Sequence, residues 1–154
     1  MDIKLSIITV SDTRTVATDS SGQLIATLLP ATIPAQERIV VKDDVAEIQT
    51  AIAARTLSQD VLILNGGTGI AKRDVTFEAV SPLLVQTIDG FGELFRWLSY
   101  QEIGSHALAS RALAGFDAQD TLIFCLPGST KACRLGMEQL ILPELVHLVQ
   151  ERRK

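Results

Sequence analysis

Cysteine is nearly absent from this chain: two thiols, Cys125 and Cys133, in 154 residues. Two cysteines make no disulfide framework. Cys125 lies in an apolar run and reads as a small buried hydrophobe. The expected setting is therefore reduced and cytoplasmic. The two histidines, His106 and His147, stand far apart without ligand spacing, which argues against zinc. Aromatics make up only 5% of the chain, so any core must be aliphatic. Excess positive charge is missing too. The formal net charge is −4, which excludes the basic footprint of a nucleic-acid binder. Arg152-Arg153-Lys154, the one cationic cluster, reads as a solvated chain end. No apolar run reaches the roughly 18 residues of a membrane span. The first residues carry a single early lysine and pass straight into a strand, unlike a signal peptide. Neither nucleic acid nor membrane is an expected partner.

What is present is a large aliphatic content. Hydrophobic residues are 47% of the sequence, enough for one well-filled domain over residues 1–154. Four short apolar runs read as strands: residues 5–10, 39–41 with their neighbours, 61–64 and 121–126. They are continuous rather than alternating, as in strands covered on both faces. Helical patterns separate them. Leu24, Ile25, Leu28 and Leu29 form one stripe, and Val45, Ile48 and Ile52 another. Asp44 followed by Glu47 is a capping-box pattern at the start of the second. The alternation predicts right-handed βαβ units and a mostly parallel α/β sheet. Residues 85–88 suggest a short extra strand. Helices are expected over 90–115, broken near Gly104 and including the Ala- and Leu-rich stretch 107–114. A last helix is expected over 131–142, with a short one after Pro143.

Ligands of open α/β sheets bind beyond the carboxyl ends of the strands. Every loop at those ends is polar or glycine-rich: residues 11–22, 42–44, 65–74 and 127–130. The third is the most telling. Asn65-Gly66-Gly67-Thr68-Gly69 closes an apolar strand, and Lys72-Arg73-Asp74 follow. A loop nearly free of Cβ atoms lets backbone N–H groups approach an anion. It lacks the glycine and hydroxyl that flank a P-loop lysine. The same glycines also fit a plain turn. Asp44 is accounted for as a helix cap. Asp43 has no such duty and could share magnesium and a triphosphate with Asp74, or both could be solvated acids. Pro127-Gly128-Ser129 with Lys131 fits either a phosphate seat or a capped turn. Arg111, beside Ser110, suits phosphate by its fork geometry, or is a surface charge.

Taken in order, Ser11-Asp12, Asp19 to Gly22, Gly66-Gly67-Thr68-Gly69, Arg73-Asp74-Val75-Thr76, Gly90-Phe91-Gly92-Glu93, Ser110-Arg111 and Leu126-Pro127-Gly128-Ser129 resemble the MoaB/MogA family of molybdenum cofactor biosynthesis. The same domain occurs in gephyrin and its plant counterpart. Residues 98–104 and 129–134 look most like the bacterial MoaB branch. The resemblance implies a three-layer sandwich with a mostly parallel central sheet and helices on both faces. It implies adenylylation of molybdopterin: the pterin's terminal phosphate attacks the α-phosphate of ATP, pyrophosphate leaves and magnesium assists. Asp43 and Asp74 match the family's two carboxylates, with a transient magnesium role. Gly66, Gly67, Thr68 and Gly69 would cradle phosphate. Ser11, Asp12, Glu93, Ser110, Arg111, Pro127, Gly128, Ser129 and Lys131 would complete the substrate side. ATP and molybdopterin are the implied small-molecule partners, with no tightly bound metal. Homo-trimers or hexamers are implied, with Phe91 to Tyr100 as the contact region, as are contacts with other proteins of the pathway. The alternatives are a non-catalytic molybdopterin-binding scaffold of the same pathway and a pyrophosphate-cleaving enzyme of the CinA type.

Overall fold

The computed structural model describes residues 2–154. Six strands form one sheet in the order β2-β1-β3-β6-β5-β4, with β1 Leu5–Val10, β2 Ala35–Val41, β3 Val61–Asn65, β4 Leu84–Thr87, β5 Leu113–Asp117 and β6 Leu122–Leu126. The pairs β1·β2, β1·β3 and β3·β6 are parallel, whereas β5 runs antiparallel to both β6 and β4. The helices are α1 Ser20–Leu28, α2 Val45–Ala53, α3 Thr76–Val80, α4 Asp89–Ile103, α5 Thr130–Gly136 and α6 Leu142–Arg152.

The continuous apolar strands are explained by two separate cores. Leu5, Ile7, Val61, Ile63, Leu122 and Phe124 face one side, with Ile25 of α1, Phe95 of α4 and Leu145 of α6. Ile8, Val10, Leu62, Leu64, Ile123 and Cys125 face the other, against Ile48 and Ile52 of α2 and Ala79 of α3. The central strands β1, β3 and β6 therefore bury both sets of alternating side chains, at about 1.5–3 kcal/mol per large aliphatic group. The result is three layers, as expected.

Local signals held where they were chemical. Asp44 caps α2 through the Glu47 N–H. The Glu47 carboxylate closes on the Lys42 N–H at 3.1 Å, two residues before the usual capping-box target. Three expectations need correction. The short extra strand begins one residue earlier, at Leu84. The stretch 107–114 is not helical throughout: a 3-10 turn ends at Ala109, and Leu113 and Ala114 open β5. Its Ala-Gly composition hides a strand, because Gly115 must leave room for the Gln86 carbonyl, 2.5 Å from where a Cβ would stand. Nor does the final helix break at Pro143. A π-turn over Met137–Ile141 joins α5 to α6. There the Leu142 N–H reaches the Met137 carbonyl. The shift to five-residue pairing accommodates a proline that has no N–H to donate.

Candidate functional site: a cleft at the carboxyl ends of the strands

The loops after β1, β2, β3 and β6 converge on one cleft of about 450 Å³. Ser11, Asp12 and Asp43 line it from the first two loops. Gly66, Gly67, Thr68, Gly69 and Asp74 line it from the third, and Pro127, Gly128 and Ser129 from the fourth.

The glycine loop is shaped by what ties down its carbonyls. Gly66 and Gly67 have φ of +96° and +70°, a region in which an L side chain is strained. The Gly66 carbonyl accepts from Thr76 Oγ at 2.7 Å and the Gly67 carbonyl from the Thr76 N–H at 3.0 Å. The Thr68 carbonyl accepts from the Arg111 N–H at 2.8 Å, and the Gly69 carbonyl from Arg111 Nε at 2.9 Å. In a trans peptide the next residue's N–H points opposite to the carbonyl. The N–H groups of Gly67, Thr68, Gly69 and Ile70 therefore point away from Thr76 and Arg111. None of the four donates to a protein acceptor among the described residues. Of these, Gly67, Thr68 and Gly69 line the cleft, and successive unpaired backbone donors are the chemistry that suits an anion.

Carboxylates face this cradle. Asp43 Oδ2 accepts from the Asp12 N–H at 3.1 Å, and Asp12 Oδ1 accepts from the Asp43 N–H at 3.0 Å. This reciprocal clamp joins the β1 and β2 loops. Asp74 accepts from the Ala71 N–H at 2.9 Å, with its carboxylate 2.8 Å from where a Gly69 Cβ would stand. Partial burial pushes the Asp43 carboxyl above its ordinary range, and the charges of Asp12 and Asp74 push the same way. The Asp12 N–H bond and the Arg73 guanidinium oppose the shift. Three like charges thus gather in a cleft that Arg14 and Arg73 also line. Two carboxylates plus ligand phosphates are a suitable oxygen set for magnesium. Among the described residues no cluster of three or more His, Cys, Asp or Glu could hold a metal unaided.

Four expected residues stand apart from the cleft. Glu93, Ser110 and Arg111 line a neighbouring, more apolar hollow of about 500 Å³. The Arg111 guanidinium is already engaged by Gly69, by the Asp74 carbonyl at 3.0 Å and by the Glu78 carboxylate. That ion pair holds Glu78 below its ordinary range. Arg111 thus fixes the carbonyls of the glycine loop through its own backbone N–H and guanidinium. Lys131 faces an open hollow between α1 and α5.

Sequence reasoning named Asp19, Ser21 and Asn65 as loop residues but missed the network they form beneath the cleft. Thr9, Asp19, Ser21 and Asn65 are buried polar residues joined in a chain. Asn65 Nδ2 donates to Thr9 Oγ at 2.9 Å, Thr9 Oγ to Asp19 at 2.7 Å, and Ser21 Oγ to Asn65 Oδ1 at 2.6 Å. Arg14, which lines the cleft, was missed as well. The available signal was a guanidinium in the loop after the first strand.

A family described as "Probable molybdopterin binding domain" matches residues 6–147. The chain is 49% identical to the molybdenum cofactor biosynthesis protein B of Staphylococcus aureus, across 99% of this chain and 93% of that protein. It is also 49% identical to the protein of the same name from Bacillus subtilis, across 99% and 91%. Among solved structures, the tungsten cofactor synthesizing protein MoaB of Pyrococcus furiosus superposes with a TM-score of 0.91 at 35% identity, covering 99% of this chain and 98% of that one.

Proposed function

The chain belongs to the molybdopterin-binding domain family of molybdenum cofactor biosynthesis, and from that premise we propose that it is a molybdopterin adenylyltransferase. An oxygen of the pterin's terminal phosphate attacks the α-phosphorus of ATP. The bond from that phosphorus to the bridging oxygen of the β-phosphate breaks, and pyrophosphate leaves. The protein's task in such a transfer is positioning and charge neutralisation. The observation that carries the reading is the juxtaposition of three unpaired loop amides, those of Gly67, Thr68 and Gly69, with Asp12, Asp43 and Asp74 in one cleft. The amides of Gly67, Thr68 and Gly69 hold phosphate oxygens. Asp43 and Asp74 would hold magnesium together with the ligand phosphates, and the ion would supply charge neutralisation on them. Arg111 and Thr76 keep the loop carbonyls turned away, so that donors alone face the anion.

Purified protein incubated with molybdopterin, ATP and magnesium should yield the adenylylated pterin and pyrophosphate. Pterin binding without ATP-dependent product would identify a non-catalytic carrier and remove this proposal. We also infer assembly into a homo-oligomer. Leu94, Trp97, Tyr100 and Ile103 recur at three-residue spacing on α4 and are 50–61% exposed, a costly face to leave in water. A monomer by light scattering at micromolar concentration would contradict it.

A further inference from the structure

The polar chain beneath the cleft has no role in the transfer just described. Burying Asp19 completely beside Thr9, Ser21 and Asn65 costs desolvation that an apolar cluster would avoid. Two guanidiniums answer the single carboxylate. Arg38 Nη1 lies 3.0 Å from Asp19 Oδ2 and also donates to the Asp19 carbonyl. Arg14 Nη1 lies 3.8 Å from Asp19 Oδ1 and donates to Ser21 Oγ at 2.7 Å. One carboxylate and two guanidiniums leave one positive charge in excess. Arg38 is consumed, since its Nη2 also donates to the Val16 carbonyl at 3.3 Å. Arg14 is not: Nε and Nη2 make no protein hydrogen bond among the described residues. Its side chain is 34% exposed, and it lines the cleft together with Pro127, Gly128 and Ser129.

We propose that Arg14 is a phosphate-binding residue of the cleft, aimed by the buried Asp19–Ser21 seat. One edge of the guanidinium is fixed in the protein, and the other is presented to an anionic oxygen of the substrate. A planar fork held at one edge loses little further entropy on binding and matches phosphate geometry. The cleft then combines acids and loop amides with the Arg14 guanidinium. This deepens the reading of the cleft as a phosphate-transfer site and rests on it only for the identity of the substrate.

The test is calorimetric titration of inorganic pyrophosphate into the wild type, Arg14→Gln, Arg14→Lys and Arg153→Gln, with thermal melting of each. Arg153 lies at the opposite end of the sheet and carries the same charge change. Arg14→Gln should weaken pyrophosphate binding at least tenfold with a near-native melting temperature. Arg14→Lys should fall between it and the wild type, and Arg153→Gln should bind as the wild type does. If Arg14→Gln unfolds, the Arg14→Lys loss decides. Absence of wild-type binding, unchanged binding by the folded Arg14 variants, or an equal loss in Arg153→Gln would overturn the assignment. The adenylylation assay separates the two claims. Turnover by Arg14→Gln with wild-type KM for both substrates sinks the Arg14 role and leaves the transferase standing. Lost pyrophosphate binding in a protein that never adenylylates does the reverse.

Discussion

The two ends of the sheet carry hollows of similar size and opposite character. At the amino ends of the strands, a hollow of about 500 Å³ is lined by Lys4, Asp60, Asp120, Arg152 and Arg153 among others. Its arginines and two of its acids answer one another. Arg152 pairs with Asp120 and lies 5.1 Å from the centre of the Phe116 ring, Arg153 pairs with Asp60, and Asp60 also accepts the Lys4 N–H. At the carboxyl ends, the cleft of about 450 Å³ gathers acids that oppose one another and amides without partners. Volume and polarity do not distinguish the two. What distinguishes them is whether the protein satisfies its own charges. The amino end pairs its arginines with its acids, whereas the carboxyl end sets acids beside one another and beside unpaired loop amides.

The largest effect should come from the buried seat. Asp19→Asn leaves Arg38 without its full counter-charge, and urea unfolding should report a loss of about 3–5 kcal/mol. The superficially similar Asp120→Asn breaks a pair whose carboxylate is 67% exposed and should cost no more than about 1 kcal/mol. Equal losses at the two ends would erase the contrast.

Next come the cleft acids. Asp74→Ala and Asp43→Ala should each lower kcat/KM for adenylylation by roughly 100-fold or more, as loss of electrostatic groups from a transfer site does. Asp60→Ala, at the other end, should leave the rate unchanged in the same assay. A smaller effect is expected at Gly67. At its φ of +70° a Cβ would collide with Thr76 Oγ, so Gly67→Ala should cost about 1–3 kcal/mol and weaken phosphate binding. Retained stability and binding would show that the loop geometry is not required.

The smallest effect is in pH dependence. Folding raises the Asp43 carboxyl above its unfolded value, so the native state holds that proton more tightly than the unfolded chain does. Stability therefore falls as pH rises above the ordinary aspartate range, and the penalty persists at neutral pH. Asp43→Asn should melt higher than the wild type at about pH 7 and show no such gain at about pH 3, while losing activity. Glu78 runs the other way. Its lowered carboxyl contributes stability above the unfolded glutamate value, and this is lost as pH falls through the folded one.

The contrast also explains what could be read from sequence. Strands buried on both faces announce themselves: residues 61–64 are an unbroken aliphatic run, residues 5–10 are aliphatic apart from Ser6 and Thr9, and both are wholly buried. β5 did not, because Ala114 and Gly115 carry little strand preference and followed an alanine-rich stretch. The glycine loop and Asp43 were legible because their chemistry is local: a strand stops, the side chains shrink, and an acid lacks a cap to fill. The buried network was not, because Asn65 meets Thr9 and Ser21 only once β1, β3 and α1 have packed. Arg111 shows the converse. Its residue type suggested a ligand contact, whereas its partners on Gly69, Asp74 and Glu78 make it a support.

The most direct test of the contrast between the two ends is amide chemical-shift mapping during titration of the wild-type protein with magnesium and ATP. Shifts concentrated at Gly67, Thr68, Gly69, Asp43, Asp74 and Ser129, with Lys4, Asp60, Asp120 and Arg153 unmoved, are the predicted result. Shifts centred on the amino-end residues, or none at the glycine loop at saturating nucleotide, would contradict the account.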